Sequence, residues 1–291
     1  MPVDDSQPPP PRSGDRSTVG SWLASRGLRG KEARRHLDNG KVWIESTPTR
    51  DASRSAEPQQ LRIEESRPKF DVEREPAVVY RDTKLVVVYK PSGVLSVPAP
   101  GRREPSVLRD CERWFGRALA VHRIDEGTSG LMLVALDEPT QTRLKDLFEV
   151  HDVERRYIAW VNGTFPAAPQ TIESWLVRDR GDGLRGSHPR GSPPPGDAKR
   201  AVTHFRRISV EAGRSLVEAR LETGRTHQVR IHLSEAGFPL VGDDLYGRAR
   251  GGRLALHAHA LGFRHPATGV SHRYVSPLPD DLARAAEPRP A

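Results

Sequence analysis

The chain has 291 residues, with 46 Lys and Arg against 38 Asp and Glu, a formal net charge of +8 and an isoelectric point near 10.0. That length holds one large or two modest domains, and the charge balance favours a polyanionic partner, nucleic acid before an anionic membrane. The single Cys111 excludes an intramolecular disulfide and a cysteine-based zinc site.

A lone cysteine also fits a reducing compartment. No apolar signal core precedes Arg16 and no run approaches the roughly 18 apolar residues of a membrane span, so a cytoplasmic protein is expected. Hydrophobic residues make up only 35% of the chain. The deficit sits in polar, proline-rich segments at the ends and in one internal loop, leaving enough for a normal core.

Residues 1–16, with Pro8 to Pro11, read as a disordered tail. Residues 17–66 read as a small unit. Val19, Trp22 and Leu23 recur at helical spacing after the capping residues Ser17 and Thr18. A second helix is expected over 31–38, stopped by Asn39-Gly40, and a strand over 42–45. Lys31, Arg34 and Arg35 stand in a basic cluster on that second helix. Residues 67–78 read as a linker, 79–279 as the main domain and 280–291 as a C-terminal tail.

Strands dominate the main domain. They are expected over 85–89, 118–121, 131–136, 157–161, 202–208, 216–221, 254–264 and 270–275. Asp137-Glu138-Pro139 opens an amphipathic helix, and Thr226 opens another that ends near Gly237. Residues 180–195 read as a long mobile loop. Many strands with few helices predict an α+β fold with an antiparallel or mixed sheet.

The densest chemical signal is His122-Arg123-Ile124-Asp125-Glu126-Gly127-Thr128-Ser129-Gly130-Leu131, a polar loop between two apolar runs. Such a loop can hold Arg123 and Asp125 rigidly at a site. Two further segments are rich in candidate groups. One is Arg155-Arg156-Tyr157-Ile158-Ala159-Trp160-Val161. The other is Thr223-Gly224-Arg225-Thr226-His227-Gln228-Val229-Arg230-Ile231-His232-Leu233. An isolated loop aspartate ordinarily ties down its own backbone, and an isolated strand tyrosine ordinarily packs. Arg225 can meet a phosphate near the start of its helix.

Taken together and in order, these segments resemble the motifs of the RluA-type RNA pseudouridine synthases. Lys90-Pro91-Ser92-Gly93, Gly242-Asp243-Asp244-Leu245-Tyr246-Gly247 and Leu256-His257-Ala258 match as well. The resemblance runs from about residue 79 to 278, with Ile124 where leucine is commoner. It implies a curved sheet with a central cleft and conversion of uridine in RNA to pseudouridine. No cofactor and no metal are implied, since the reaction is an isomerisation.

It also implies roles. Asp125 acts at the sugar's anomeric carbon, where electron deficiency develops as the bond to N1 breaks. Arg230 pairs with Asp125, a task that suits a planar, permanently charged guanidinium. Tyr157 stacks on uracil or assists a proton transfer. Arg123 fills the space left by the extruded base. His122 contacts phosphate or holds the loop, and Lys90 to Gly93 is largely structural. The N-terminal unit resembles the RNA-binding domain named after small-subunit ribosomal protein S-four. That places Lys31, Arg34 and Arg35 among the RNA contacts. Large-subunit ribosomal RNA is the favoured substrate, with transfer RNA second, and the expected state is a monomer. Two other readings are an RNA-binding ribosome-assembly factor without catalysis, and a serine hydrolase built from Ser129, His122 and Asp125. The last lacks the nucleophile-elbow spacing.

Overall fold

A computed structural model of the chain describes residues 17–38, 42–44, 47–49, 52–63, 76–99, 105–189, 191–247 and 252–283. The expectations for residues 1–16 and for Asn39-Gly40 lie outside them. The chain divides into two compact units, residues 1–74 and 75–291.

In the first unit β1 (Ser17–Thr18) leads into α1 (Val19–Ser25), where Thr18 Oγ1 accepts the Ser21 N–H at 3.1 Å. Then come α2 (Gly30–Asp38), β2 (Val42–Ile44), β3 (Thr47–Pro48), β4 (Ser55–Ala56) and β5 (Leu61–Ile63). β2 pairs antiparallel with both β3 and β5. Val19, Trp22, Leu23, Leu37, Val42, Ala56 and Leu61 form its core. That burial turns Lys31, Arg34 and Arg35 to solvent on the other face of α2.

The second unit is built on one mixed sheet with helices against it, an α+β arrangement. Its strands are β6 (Ala77–Arg81), β7 (Leu85–Lys90), β8 (Leu119–Ala120), β9 (Ser129–Ala135), β10 (Glu154–Asn162), β11 (Gln170–Val177), β12 (Gly186–Ser187), β13 (Lys199–Glu211), β14 (Arg214–Leu221), β15 (Leu256–Arg264) and β16 (Ser271–Val275). Its helices are α3 (Val107–Phe115), α4 (Glu138–Glu149), α5 (Gln228–Glu235) and α6 (Asp280–Ala283). The order across the sheet is β12-β11-β13-β14-β10-β15-β9-β7-β6, with β16 on β15 and β8 on β9.

Three packing clusters explain the sequence pattern. α5 packs through Val229 and Leu233 onto Val161, Phe205 and Val217. α4 packs through Leu144 onto Leu85, Val87, Leu131 and Leu133. α3 covers the opposite face of the same two strands, at Val86, Val88, Met132 and Val134. Strands β7 and β9 are thus buried on both faces, which is why they read as unbroken apolar runs.

Four expectations change. The linker expected over 67–78 is shortened at its end by β6, which starts at Ala77 and pairs with β7. The tail from 280 opens with α6. Leu282 there is buried, and its carbonyl accepts the Trp160 Nε1–H at 2.8 Å. The loop over 180–195 contains β12, which pairs with β11. Asp179 Oδ1 accepts the N–H groups of Gly181 and Gly183, and Glu235 accepts the Ser187 N–H at 2.9 Å. Helix α3 was not foreseen. Its apolar stripe of Val107, Leu108, Cys111 and Phe115 is interrupted in sequence by Arg109, Asp110, Glu112 and Arg113.

One pairing fixes where the site lies. β9 and β15 are parallel, in register at His257↔Ser129 and Ala258↔Gly130, whereas the other pairings of this sheet are antiparallel. Gly130 has φ +116°, and a Cβ there would lie 2.3 Å from Ala258 O. Gly130→Ala is expected to cost about 1–3 kcal/mol through this backbone clash, read as a lower midpoint in urea unfolding. An unchanged midpoint would show that the strands can separate without loss.

Candidate active site

Residues 121–128 connect β8 to β9, and the segment after β7 clamps them from behind. Lys90 is fully buried, and its ammonium donates to the carbonyls of Pro91 (3.0 Å), Val94 (2.7 Å) and Glu126 (2.9 Å). Burial pulls the Lys90 pKa down to about 7, against the opposing pull of Glu126 and Asp125. Three carbonyl acceptors match the three donors of the charged form. Ser92 Oγ donates to Gly127 O at 2.7 Å, and Gly93 N–H donates to Glu126 O at 2.8 Å. Ser96 Oγ accepts from Ile124 N at 3.0 Å and donates to Ile124 O at 2.6 Å. The backbone is therefore pinned on both sides of Asp125, whose side chain is 19% exposed.

His122 sits at the start of this loop. Its Nε2 accepts the Leu133 N–H at 2.9 Å, and its ring stacks on Phe148 with centroids 4.7 Å apart. Burial, assisted by the Arg155 charge, pushes its pKa down to about 3. The imidazole is neutral, with its proton on Nδ1. Of the two roles expected of it, this geometry serves the loop.

The second motif delivers the groups facing Asp125. Gln228 anchors α5 to β13. Its Nε2 donates to Val202 O and Thr203 Oγ1, while its Oε1 accepts from Thr223 Oγ1 and Arg225 N. His232 bonds Thr203 Oγ1 and Ser174 Oγ, and burial lowers its pKa to about 4. These two polar residues, buried under the helix, fix its rotation so that Arg230 and His227 face the loop. Arg230 Nη1 lies 3.8 Å from Asp125 Oδ2, and His227 Nε2 lies 4.0 Å from Asp125 Oδ1.

Arg230 meets Asp125 as expected, but its two-hydrogen-bond contact goes elsewhere. Arg230 Nε and Nη2 donate to Asp243 Oδ2 and Oδ1 at 2.8 and 2.7 Å. Asp243 Oδ1 also accepts the N–H groups of Leu245 and Tyr246, each at 3.0 Å. Burial alone would raise the Asp243 pKa, but Arg230 and these two N–H groups outweigh it and hold the carboxyl below its ordinary range. Asp125 thus meets Arg230 as an ion pair through the nitrogen that Asp243 leaves over.

Asp125, Arg230 and His227 open onto a cleft of about 530 Å³, a size suited to a nucleotide. Arg123, His122, Tyr157 and Arg225 line it too. Tyr157 lies on β10 with its ring against the α5 core cluster. Burial pushes its hydroxyl up to about 12, with Arg155 pulling the other way. It is a neutral phenol at physiological pH, and among the described residues its hydroxyl has no hydrogen-bond partner. Arg225 is exposed at the mouth, with Nε donating to Arg200 O at 3.0 Å. Lys31, Arg34 and Arg35 belong to the other unit.

The family model described as RNA pseudouridylate synthase matches residues 84–235, a span that contains both the Asp125 loop and α5. The chain belongs to this family. The uncharacterized RNA pseudouridine synthase YlyB of Bacillus subtilis (strain 168) is 37% identical over 233 residues, covering 75% of this chain and 75% of that protein. The ribosomal large subunit pseudouridine synthase D of Zymomonas mobilis is 37% identical over 226 residues, covering 70% of each. Human RNA pseudouridylate synthase domain containing 1 superposes with a TM-score of 0.60 at 26% identity, covering 73% of this chain and 88% of that one. The protein is an RNA pseudouridine synthase of the RluA type, and RNA is its substrate.

Two residues that shape this synthase's site, His227 and Asp243, are not singled out by the sequence pattern. Nothing in the sequence marks His227 beyond its place in the motif near a helix start. It stands at φ +60°, a left-handed conformation, with Nδ1 3.0 Å from Tyr246 Oη. Burial lowers its pKa, with Asp125 opposing and Arg230 adding to the shift. Asp243 carried one signal, an acidic residue inside a glycine-bounded turn that matched a family motif. Ser129, offered as a nucleophile with His122, instead bonds His257 Nδ1 at 2.8 Å and Arg253 Nη2 at 2.7 Å. It is fully buried, so no substrate reaches it.

Proposed function

We propose that Asp125 is the catalytic group of this synthase and acts at the anomeric carbon of the target uridine. The observation that carries the reading is the setting of its carboxylate. The backbone is pinned on both sides, the side chain opens on a nucleotide-sized cleft, and a guanidinium stands 3.8 Å away. Such a group can attack C1′, or stabilise charge there, without reorganising. Tyr157 offers its ring to the uracil and its free hydroxyl to a polar edge of the base. Arg123, exposed at the cleft rim, takes the place of the extruded base. Arg225 meets a backbone phosphate, as do Lys31, Arg34 and Arg35 of the first unit.

The favoured substrate is large-subunit ribosomal RNA. Relatives covering 70% of this chain carry that substrate in their names, and an RNA-binding N-terminal unit fits a large structured target. The test is tritium release from uridine labelled at C5, run on separate unmodified ribosomal and transfer RNA pools. Release is expected from the ribosomal pool, and release from transfer RNA alone would reverse the assignment. No release from either pool, with tight RNA binding retained, would favour the assembly-factor reading.

A further inference from the structure

Arg155 is a buried charge of the cleft that the preceding account leaves unused. It lies on β10 two residues before Tyr157, so both side chains project from the same face of the strand. It is 7% exposed and lines the cleft. Nη2 donates to Glu222 O at 2.6 Å, and the guanidinium carbon lies 5.4 Å from the centre of the Phe148 ring. Nε is buried without a hydrogen-bond partner. Among the described residues Nη1 has none either, and none of their carboxylates makes an ion pair with Arg155. The chain keeps space for it. A Cβ on Gly224 would sit 2.5 Å from Nη1.

A guanidinium stays charged in a protein, and a buried charge without a counterion is costly. The buried charges facing Asp125 are matched among themselves, Asp125 with Arg230 and Arg230 with Asp243. The one charge near Arg155 that bears on it unfavourably is another cation, Arg225. An arginine needed only to bind Glu222 O has no reason to stand unpaired in a substrate cleft. It is arranged for a negative charge that arrives with the substrate.

We propose that Arg155 stabilises the uracil anion formed when the glycosidic bond breaks, a role that rests on the reading of this cleft as the site of the target uridine. The N1–C1′ bond breaks with its electron pair going to the base, and the negative charge spreads over N1, O2 and O4. A carboxylate oxygen of Asp125 bonds C1′ in its place. The base turns, C5 attacks C1′, and the carboxylate leaves with the pair of that C–O bond. The C5 proton is then lost and N1 takes one up. Nη1 of Arg155 is the donor offered to a uracil oxygen while the base is detached. The charge exists only after the bond has begun to break, so the interaction favours the transition state over the bound substrate.

The test uses the full chain and the RNA pool that wild type modifies. Single-turnover rates at saturating enzyme and RNA dissociation constants are measured for wild type, Arg155→Met and Arg155→Lys. Uridine RNA is compared with RNA carrying 5-fluorouridine, whose base leaves more readily because fluorine acidifies N1–H. Consumption of the fluorinated nucleotide is followed by chromatography of RNA digests. Arg155→Met is expected to slow uridine RNA on the order of 10²–10³-fold with the dissociation constant little changed. The loss should be markedly smaller on 5-fluorouridine RNA. Arg155→Lys keeps the charge and should show a milder loss with the same dependence on the base. If Arg155→Met does not fold, that dependence in Arg155→Lys decides. Equal losses on both RNAs, a wild-type rate, or weaker binding at an unchanged rate would overturn the proposal, the last by making Arg155 a phosphate contact. A wild type inert on every pool would sink the reading of the cleft itself.

Discussion

Asp125→Asn is expected to leave a folded protein that binds RNA and forms no measurable pseudouridine, a loss of at least on the order of 10²–10³-fold. The substitution keeps shape and removes the charge. The loop does not depend on that charge, because Lys90, Ser92, Gly93 and Ser96 hold its backbone through the carbonyls and N–H of its neighbours. The thermal midpoint should therefore stay within a few degrees of wild type, and the dissociation constant for RNA should not rise. A chemical role for Asp125 predicts this separation of stability and binding from turnover. If tritium release persisted in Asp125→Asn at more than a tenth of the wild-type rate, the carboxylate would not be the reacting group. If release fell together with folding, Asp125 would be a loop tether.

The legibility of this enzyme in its sequence is uneven, for physical reasons. Loop 122–128 could be read because strands buried on both faces give unbroken apolar runs, and the polar stretch between β8 and β9 stands out against them. Asp125, Tyr157 and Arg230 came from motif resemblance, and the fold brings all three to one cleft. What holds them there could not be read. Lys90 meets Glu126 O across 36 positions, and Gln228 meets Val202 O across 26. Hydrogen bonds to backbone carbonyls leave no trace in side-chain pattern. The left-handed backbone of His227 leaves none either, since nothing distinguishes it from a histidine in a regular turn. Arg155 was hidden by its neighbour Arg156, which makes ordinary surface ion pairs to Glu154 and Glu218.

Asp243→Asn is expected to destabilise the protein by about 3–5 kcal/mol and to abolish turnover together with stability. The carboxylate is 1% exposed and accepts two guanidinium N–H bonds and two backbone N–H bonds. An amide presents one acceptor oxygen where the carboxylate has two, and it leaves Arg230 charged and buried with only the 3.8 Å contact to Asp125. The pH dependence follows from the depressed pKa. The folded carboxyl titrates below its ordinary value of 3.8, so its contribution is fully present above that value and is lost as pH falls through the folded one. The stability gap between wild type and Asp243→Asn should be constant near neutrality and close in acid. The double variant Arg230→Met with Asp243→Leu removes both charges from the interior and should recover much of the lost stability. It should recover no activity, because the guanidinium facing Asp125 is gone. Recovery of both would reduce the pair to a structural tie, and recovery of neither would mean that the Leu245 and Tyr246 N–H bonds, not Arg230, make Asp243 indispensable.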